Sequence, residues 1–423
     1  MTNFIVPDVR RSVWNHFLKS KSARFSTYVL LLLLGVALGA PIIANDKPLF
    51  ASYQNQVFFP AITFSKVVEL TNEVTGKKEL IQSSQVEWNK LKLEKAVWTL
   101  VRFSPGKRDP DNQDYSIPSG SHFLGTTKNG SDVLSGLIHG TRISLTIGIM
   151  SMLLASFIGI ALGSIAGYFG DHRLQVARGK VWMTLAGIIP AYFYSFYMRS
   201  GELSKLFINP GFGTLAQLIF SILIFTVIVF LFYKAGGILN RAAYFSKNIF
   251  IQVDSLVSRT IEIFVSIPRL ILIISIAAIA RPSFFNLILI IGFTSWTEIA
   301  RFTRAELLRA RNSDYIATAR ALGLSDVRII IKHALPNALA PATIAIVFGI
   351  ASAILIESGL SFLGIGVPHD VVTWGSLLFA GKENFEAWWL VIFPGIAIFT
   401  TVTALNLVGD GLRDAMDVRS RVI

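Results

Sequence analysis

Long apolar runs dominate the chain. Five of them contain no charged residue and approach the length of about 20 residues that crosses a bilayer: 27–44, 143–169, 215–233, 338–356 and 387–408. Three weaker runs are interrupted by a proline or by charged residues, at 181–198, 260–280 and 283–299. Together the runs predict an all-α polytopic membrane protein with eight spans, in which a tight turn at Arg281 and Pro282 joins the last two weak runs.

Basic residues orient these spans, because lysine and arginine concentrate in cytoplasmic loops. Five of them precede the first run: Arg10, Arg11, Lys19, Lys21 and Arg24. Placing that end in the cytoplasm makes both termini cytoplasmic and puts the other basic loops on the same side. The net charge of +13 therefore indicates membrane topology rather than nucleic-acid binding. The first run exceeds the apolar core of a signal peptide, and we interpret it as a retained anchor.

These assignments divide the chain into seven parts. They are a cytoplasmic N-terminus at 1–26, a first span at 27–44, an extracytoplasmic region at 45–141, a span at 142–170, an inserted hairpin of two spans at 171–250, a core at 251–410 with a polar loop at 301–337, and a cytoplasmic C-terminus at 411–423. In the extracytoplasmic region, 79–100 permits an amphipathic helix and 104–120 is rich in turn-forming residues. We expect a small, partly ordered subdomain there; a linker without a binding role is the alternative.

Three glycines share one face of the second apolar run. Gly159, Gly163 and Gly167 recur every four residues. Small residues at this spacing allow helices to approach closely in a bilayer, so the pattern predicts a packed interior helix.

The polar loop at 301–337 has the pattern of two short helices separated by a glycine. The predicted apolar faces are Tyr315, Ala319 and Leu322 on the first helix and Val327, Ile330, Ile331 and Ala334 on the second. Gly323 ends the first helix, because glycine readily adopts the left-handed conformation. Ser325 is suited to cap the second helix, and Pro336 is its predicted end. Such a pair predicts a rigid knob beside the membrane; a helix lying on anionic lipid is the alternative.

The spacing within this loop resembles the EAA loop of ABC importer permeases. Residues 319–323 read ARALG, and HALP follows at 333–336 after nine residues. Four further stretches are similar to the C-type permease subunit of the oligopeptide, dipeptide and nickel importers: FLGTTKNGSDVLSGLIHGTRISLTIGI at 123–149, VDSLVSRTIEIFVSIPRL at 253–270, ESGLSFLGIGVP at 357–368 and NLVGDGLRDAMDVRSR at 406–421. NDKPLF at 45–50 and FFP at 58–60 resemble the branch associated with longer peptides and microcin C.

The resemblance implies a function for the loop at 301–337, hereafter the coupling loop. In that family its first helix docks into a groove of a cytoplasmic ATPase. The residues that would couple to the ATPase here are Tyr315, Ala319, Arg320, Ala321, Gly323, Leu335 and Pro336. The resemblance also implies a six-helix type I importer core, a second homologous permease subunit, two cytoplasmic ATPase subunits that bind ATP and Mg, and an extracytoplasmic solute-binding protein. This chain itself would hold no cofactor, and peptides or a related solute such as nickel would cross a bacterial inner membrane by alternating access.

Two features depart from the family pattern. The family has a short loop after the second span, whereas this chain inserts residues 171–250 with two apolar runs. An even number of added spans preserves the orientation of everything downstream, and aromatic residues at 192–197 suit the outer interface. We therefore predict a peripheral hairpin on the core. The second departure is GTTKNGSD at 125–132, where the family has acidic and arginine residues.

The chain lacks the motifs of an enzyme. No G-x-x-x-x-G-K-[ST] pattern occurs, so we do not expect this chain to hydrolyse ATP. It has no cysteine, and its six histidines are scattered without the spacing of metal ligands. The sequence therefore predicts no catalytic residue and no metal site.

Three charged residues near spans are candidates for the translocation pathway or for helix ends: Glu262, Arg269 and Glu357. The spacing of the first two with Arg259 favours salt bridges or extension to the interface over substrate contact. Glu357 either faces the pathway or reaches water. An ATP-independent secondary transporter or channel is the alternative function, and it would need a buried polar pair in a strong span. A membrane anchor or scaffold would leave the knob without a use.

Overall fold

The computed structural model describes residues 9–53, 56–61, 67–71, 78–82, 86, 88–91, 93–208, 212–239, 243–368 and 370–416. His369 and the last seven residues of the predicted cytoplasmic C-terminus lie outside them. Most of the described residues are helical. The two compact units of the chain comprise residues 1–149 with 351–423, and residues 150–350.

Five helical segments are long and apolar enough to cross a membrane: Lys21–Ile43, Val133–Phe169, Ala216–Leu239, Asp326–Phe362 and Trp389–Met416. They coincide with the five strong runs of the sequence. A sixth candidate is a pair of helices, Val253–Ser266 and Arg269–Ile279, bent by 80° at the break between them. The protein is thus a mostly helical polytopic membrane protein with five to six candidate spans among the described residues.

The first unit contains the two ends of the chain. Helices α1 (Val9–Lys19) and α2 (Lys21–Ile43) pack against the last helix, α15 (Trp389–Met416). Phe17 and Ala23 are buried against Ala415 at this contact. The beginning of α3 (Val133–Phe169), the end of α13 (Leu335–Phe362) and the short helix α14 (Trp374–Lys382) complete the helices of this unit.

The region predicted to be extracytoplasmic forms strands where the sequence permitted an amphipathic helix. Three strands pair antiparallel in the order β2-β1-β5, formed by Phe50–Tyr53 (β1), Gln56–Phe58 (β2) and Lys95–Val97 (β5). A second ribbon joins Val67–Thr71 (β3) to Lys78–Gln82 (β4). Single-turn helices occur only at Trp88–Lys90 and Pro110–Asn112 within the described part of residues 45–132. The helix prediction for 79–100 was wrong, because cross-strand pairing overrides a weak helical pattern.

A buried histidine fixes the loop that leads into α3. The His122 ring is fully buried, with Nδ1 2.8 Å from an Asp132 carboxylate oxygen and Nε2 3.2 Å from Asp109. Phe103 packs against the ring at 4.3 Å between centroids. Buried side-chain contacts therefore hold the turn-rich segment in place.

The second unit is built on the contact between α3 and α10 (Phe284–Ala310). A Cβ added to Gly159, Gly163 or Gly167 would lie 2.5–2.7 Å from a backbone carbonyl oxygen of α10. The four-residue glycine spacing thus brings the two helices into backbone contact. The helix α9 (Arg269–Ile279) also packs on α10. The turn predicted at Arg281 and Pro282 lies between these two helices.

The insertion forms a hairpin of its own. A ribbon of Gln175–Ala177 (β6) and Asn248–Phe250 (β7) closes its base. The helices are α4 (Arg178–Tyr192), α5 (Ser200–Ile208), α6 (Phe212–Leu239) and α7 (Ala243–Ser246), with a π turn at Phe193–Tyr197. Gly187 packs against Phe232, and Gly236 packs against Lys180, which brings α4 and α6 together.

Candidate coupling site

The coupling loop is a compact pair of helices. After α10 the chain turns at Ser313 into α11 (Asp314–Ala321). The Gly323 N–H donates to Arg320 O at 2.8 Å, and the Leu324 N–H donates to Ala319 O at 3.2 Å. With the Gly323 φ of +79°, these bonds form a Schellman motif, so the predicted glycine stop is present. The short helix α12 (Asp326–Ile329) follows.

The sequence predicted that the second helix of the coupling loop ends at Pro336, and this prediction was wrong. A π turn at Ile330–Ala334 follows α12 and runs directly into α13, where Pro336 is the second residue. In the π turn the Leu335 N–H already bonds Ile330 O, five residues back. Pro336 therefore lies inside the continuous helical segment Asp326–Phe362, just after the π turn.

The buried face of the coupling loop also differs from the predicted one. The core consists of Ile316, Ala319, Ile329 and Ala334, packed with Tyr168, Leu307 and Ala338. Of the predicted apolar residues, Tyr315, Leu322, Val327 and Ile331 are instead exposed, by 43%, 75%, 63% and 62%. Only Ala319 and Ala334 of the predicted faces are buried, and Ile330 is partly buried. The i, i+3 pair of Ile316 and Ala319 turns inward on α11, and the wider π turn shifts the inward face of the second helix.

A polar node joins the end of α3 to the coupling loop. The buried Tyr168 hydroxyl donates to Asp326 Oδ1 at 2.8 Å, and Arg173 Nη2 donates to the same oxygen at 2.5 Å. The guanidinium groups of Arg173 and Arg320 lie 4.4 and 5.4 Å from the centre of the Tyr168 ring. A cation over the face of an aromatic ring is attracted to it, so both guanidinium groups help to hold the Tyr168 ring in place. We call Tyr168, Arg173, Arg320 and Asp326 the tyrosine node.

The sequence analysis missed most of this node. Arg320 was predicted from the loop pattern, but the other three residues were not. Asp326 follows Ser325 at the start of a predicted helix, and Tyr168 ends an apolar run; both positions have common structural explanations. Their association spans 158 residues of sequence, which no local pattern indicates.

A second set of contacts fixes the start of α8 (Val253–Ser266) beside the node's helices. The Arg304 guanidinium of α10 bonds both carboxylate oxygens of Asp254. Asp171 accepts the Ser255 N–H at 2.9 Å and the Ser255 hydroxyl at 2.6 Å. The hydroxyl bond is the largest of the effects that lower the pKa of Asp171 below its ordinary value of 3.8. Asp171 thereby supplies the cap that α8 lacks from its own N-cap residue, Gln252.

The remaining predicted residues lie in different surroundings. Ala321 is exposed beside Gly323, and Leu335 packs against the loop core. Glu262 is exposed and bonds Arg259 at 3.0 Å, as the salt-bridge interpretation expected. Arg269 begins α9 and donates from Nη2 to Ser295 Oγ at 2.5 Å.

Glu357 does not reach water. Its side chain is fully buried, and its carboxylate oxygens accept hydroxyls of Ser144 at 2.9 Å and Ser361 at 2.8 Å. Ser358 lies at 3.4 Å. These hydroxyl donors satisfy the carboxylate without an ion pair in the described part of the chain. Among the described residues, no group of three or more histidine, aspartate or glutamate side chains could hold a metal ion.

Comparison with known proteins identifies the family. A family model described as "binding-protein-dependent transport system inner membrane component" matches residues 240–422, which include the coupling loop. The chain is 28% identical over 424 residues to the inner membrane ABC transporter permease protein YejE of Escherichia coli (strain K12), with 98% of each chain covered. It is 30% identical over 295 residues to the di/tripeptide transport system permease protein DppC of Pseudomonas aeruginosa (strain UCBPP-PA14), covering 70% of this chain and 71% of the relative. It is 26% identical over 435 residues to the peptidoglycan transport system permease protein YejE of Agrobacterium fabrum (strain C58 / ATCC 33970), covering 96% and 92%.

The family, the long apolar helices and the helix-glycine-helix loop agree with one another. The chain therefore belongs to the inner-membrane permeases of binding-protein-dependent ABC transport systems, in the peptide and YejE branch, and is a multi-pass permease component that is not itself an enzyme.

Proposed function

We propose that this chain is one of two permease subunits of an ATP-driven peptide importer. Relatives named for peptide and di/tripeptide transport support a peptide substrate. The second permease, two ATPase subunits and the solute-binding protein complete the assembly. ATP and Mg are held by the ATPases, and the chain itself supplies the membrane pathway.

The observation that carries the proposal is the surface of the coupling loop. Tyr315, Leu322, Val327 and Ile331 are exposed apolar side chains on a loop whose opposite side is a tightly packed core. Exposed apolar side chains on a rigid support are typical of a surface that another protein covers. We assign this surface to the ATPase groove, and Ala321 and Gly323 shape the bend beside it.

The tyrosine node supplies the connection to the membrane helices. Its contacts tie the coupling loop to the end of α3, and the α3 glycines tie that helix to α10. A displacement of the loop by the ATPases would therefore move these helices together rather than distort the loop. ATP drives transport because it binds the closed ATPase pair more tightly than the open pair, which shifts the equilibrium between outward and inward states.

The hairpin and the weak runs support the eight-span topology as a proposal. The helices α4 and α6 pair with each other, and α10 includes the weak run at 283–299. Six core spans plus the inserted hairpin keep both termini in the cytoplasm. Finding residues 201–213 reactive to membrane-impermeant reagents only from the cytoplasmic side would contradict this topology.

An uptake assay tests the proposed function. The complete importer is reconstituted in liposomes with this chain as wild type, Leu322→Asp or Leu100→Asp. Both leucines are highly exposed, by 75% and 83%, but only Leu322 lies on the coupling loop. We expect ATP-dependent uptake of a labelled peptide to be lost in Leu322→Asp and kept in Leu100→Asp. Equal uptake by the two variants, or uptake driven by an ion gradient without ATP, would overturn the proposal.

A further inference from the structure

A charged cavity lies at the break between α8 and α9. It has a volume of about 340 Å³ and is lined by α8, α9 and α10. Its charged lining residues are Arg269, Glu298 and Arg301. This volume is at the lower end of the range for ligand pockets, so it suits one end of an extended substrate.

Arg269 and Arg301 form no ion pair among the described residues, although the Glu298 carboxylate acts on Arg269 electrostatically. Arg269 Nη2 donates to Ser295 Oγ, but its Nε is buried and has no hydrogen-bond partner. Glu298 and Arg301 are one helical turn apart on α10 and both are exposed. Among the described residues, no ion pair links Glu298 to either arginine. Arg269 and Arg301 both line the cavity, so their guanidinium groups can meet an anionic group that enters it.

The broken helix adds to the positive character of the cavity. Pro268 is the N-cap of α9, and no side chain caps the free N–H groups of this helix start. Helix N-termini favour anions, and interrupted membrane helices commonly direct such ends at substrate. Pro268 and Arg269 both line the cavity, so the dipole and the guanidinium act at the same place.

The surface around the break carries charged side chains among exposed apolar ones. Arg259 and Glu262 on α8 are exposed, by 79% and 62% of their side chains, and Glu298 and Arg301 are exposed on α10. Charged side chains within membrane segments face water-filled cavities or protein rather than hydrocarbon. The charged part of this surface, at the cavity, is therefore expected to face the translocation pathway or a partner subunit.

We propose that this cavity binds one end of a zwitterionic peptide during translocation. The guanidinium groups of Arg269 and Arg301 bind the terminal carboxylate. The bidentate geometry of a guanidinium suits a carboxylate. The inference rests on the proposed peptide importer and names the chemistry of its substrate site.

A cysteine-protection experiment tests the site, because the chain has no cysteine of its own. Thr297→Cys places one thiol in the cavity lining. The permease–ATPase complex in lipid nanodiscs, without the binding protein, is alkylated by a maleimide in the presence of trialanine or trialanine amide. We expect trialanine to slow the alkylation and the amide, which lacks the carboxylate, to protect weakly. Equal protection by the two peptides, or protection by neither, would overturn the inference.

Matched variants assign the effect to the cavity. Arg269→Gln should raise the half-protecting concentration of trialanine by about tenfold or more, the factor expected for a lost charged hydrogen bond. Arg269→Lys should lie between that variant and the parent. Arg259→Gln, on the same broken pair of helices but outside the cavity, should leave protection unchanged. An Arg259→Gln effect as large as that of Arg269→Gln would contradict the assignment.

A separate measurement keeps this inference distinct from the proposed function. Each variant is also prepared with Ala321→Cys and tested for an ATP-dependent cross-link to the ATPase. A cross-link without peptide protection would overturn the cavity and leave the importer standing. Loss of the cross-link in the parent would instead overturn the proposed coupling.

Discussion

Two helix pairs in the second unit use glycine in the same way and differ in the contacts at the ends of their helices. A Cβ on Gly163 would lie 2.5 Å from Ala300 O, and a Cβ on Gly236 would lie 2.5 Å from the Cα of Lys180. The first pair, α3 and α10, continues into the tyrosine node and the core of the coupling loop. The second pair, α4 and α6, forms the inserted hairpin.

Burial makes the difference quantitative. In the apolar stretch of α3, 44% of the residues are buried within the protein, against 6% in the apolar stretch of α6. Glycine-mediated contact is therefore a general means of joining membrane helices. Of these two pairs only the α3 pair has the tyrosine node, and we therefore expect coupling to run through that pair.

The largest effect should come from Gly163→Ala. The added methyl carbon would lie 2.5 Å from the Ala300 carbonyl oxygen and 2.9 Å from the Thr303 Cβ, so the two helices must separate. Overpacking of this kind costs about 1–3 kcal/mol. Thermal unfolding in detergent should occur at a lower temperature, and coupling should weaken. The control is Gly237→Ala, since Gly237 has nothing within 4 Å and alanine favours helix. Equal stability of the two variants would contradict the described packing.

Gly236→Ala should damage the hairpin and spare coupling. Its methyl group would meet the backbone of Lys180, and α4 would be displaced from α6. Because these helices pack on each other, we expect the ATP-dependent cross-link at Ala321 to persist. Loss of that cross-link would mean that the hairpin takes part in coupling and would remove the contrast between the two pairs.

Asp326→Asn tests the tyrosine node. The change removes the charge that Arg173 contacts at 2.5 Å and weakens the bond from Tyr168. Hydrogen bonds between partly exposed groups contribute about 0.5–1.5 kcal/mol, so ATP-driven uptake should fall by roughly two- to tenfold. ATP hydrolysis by the partner subunits should continue. Tyr168→Phe keeps the ring and loses one bond, and should give a smaller fall in the same assay.

Asp171→Asn should have a smaller effect, and one that depends on pH. Hydrogen bonding by the Ser255 hydroxyl lowers the pKa of Asp171 in the folded protein. A carboxylate with a lowered pKa stabilises the folded state above its ordinary pKa of 3.8, and this stabilisation is lost as pH falls through the lower folded value. The unfolding temperatures of parent and variant should therefore differ modestly at neutral pH and converge in strong acid. A constant difference at every pH would exclude the carboxylate as the cause.

The smallest effect on transport is expected from Arg199→Ala. Arg199 bonds Ser221 Oγ at 2.9 Å and Gln217 Oε1 at 2.5 Å within the hairpin. Its loss should loosen the hairpin, measured as faster proteolysis between α4 and α6, while peptide uptake remains within about twofold of the parent. A large loss of uptake would show that the hairpin is not peripheral to transport.

The sequence predicted those features that local rules determine. Gly323 ends a helix because its left-handed conformation is encoded in a single residue, and the α3 glycines predicted close packing by their spacing. The π turn at Ile330–Ala334 was not predicted, and it changes which side chains of the second helix face inward. The tyrosine node and the bond between Ser144 and Glu357 depend on residues far apart in sequence. Periodicity carries no information about such contacts.

The most direct test of the coupling account is a cross-link at the exposed bend of the coupling loop. A single cysteine at Ala321, paired with one in the groove of the partner ATPase, should form a disulfide whose yield changes when ATP is added. Ala319→Cys is the matched control, because Ala319 is two residues away and only 6% exposed. The account predicts a nucleotide-dependent cross-link at Ala321 and little at Ala319. No cross-link at Ala321 in a folded, membrane-inserted assembly, or equal yields at the two positions, would contradict it.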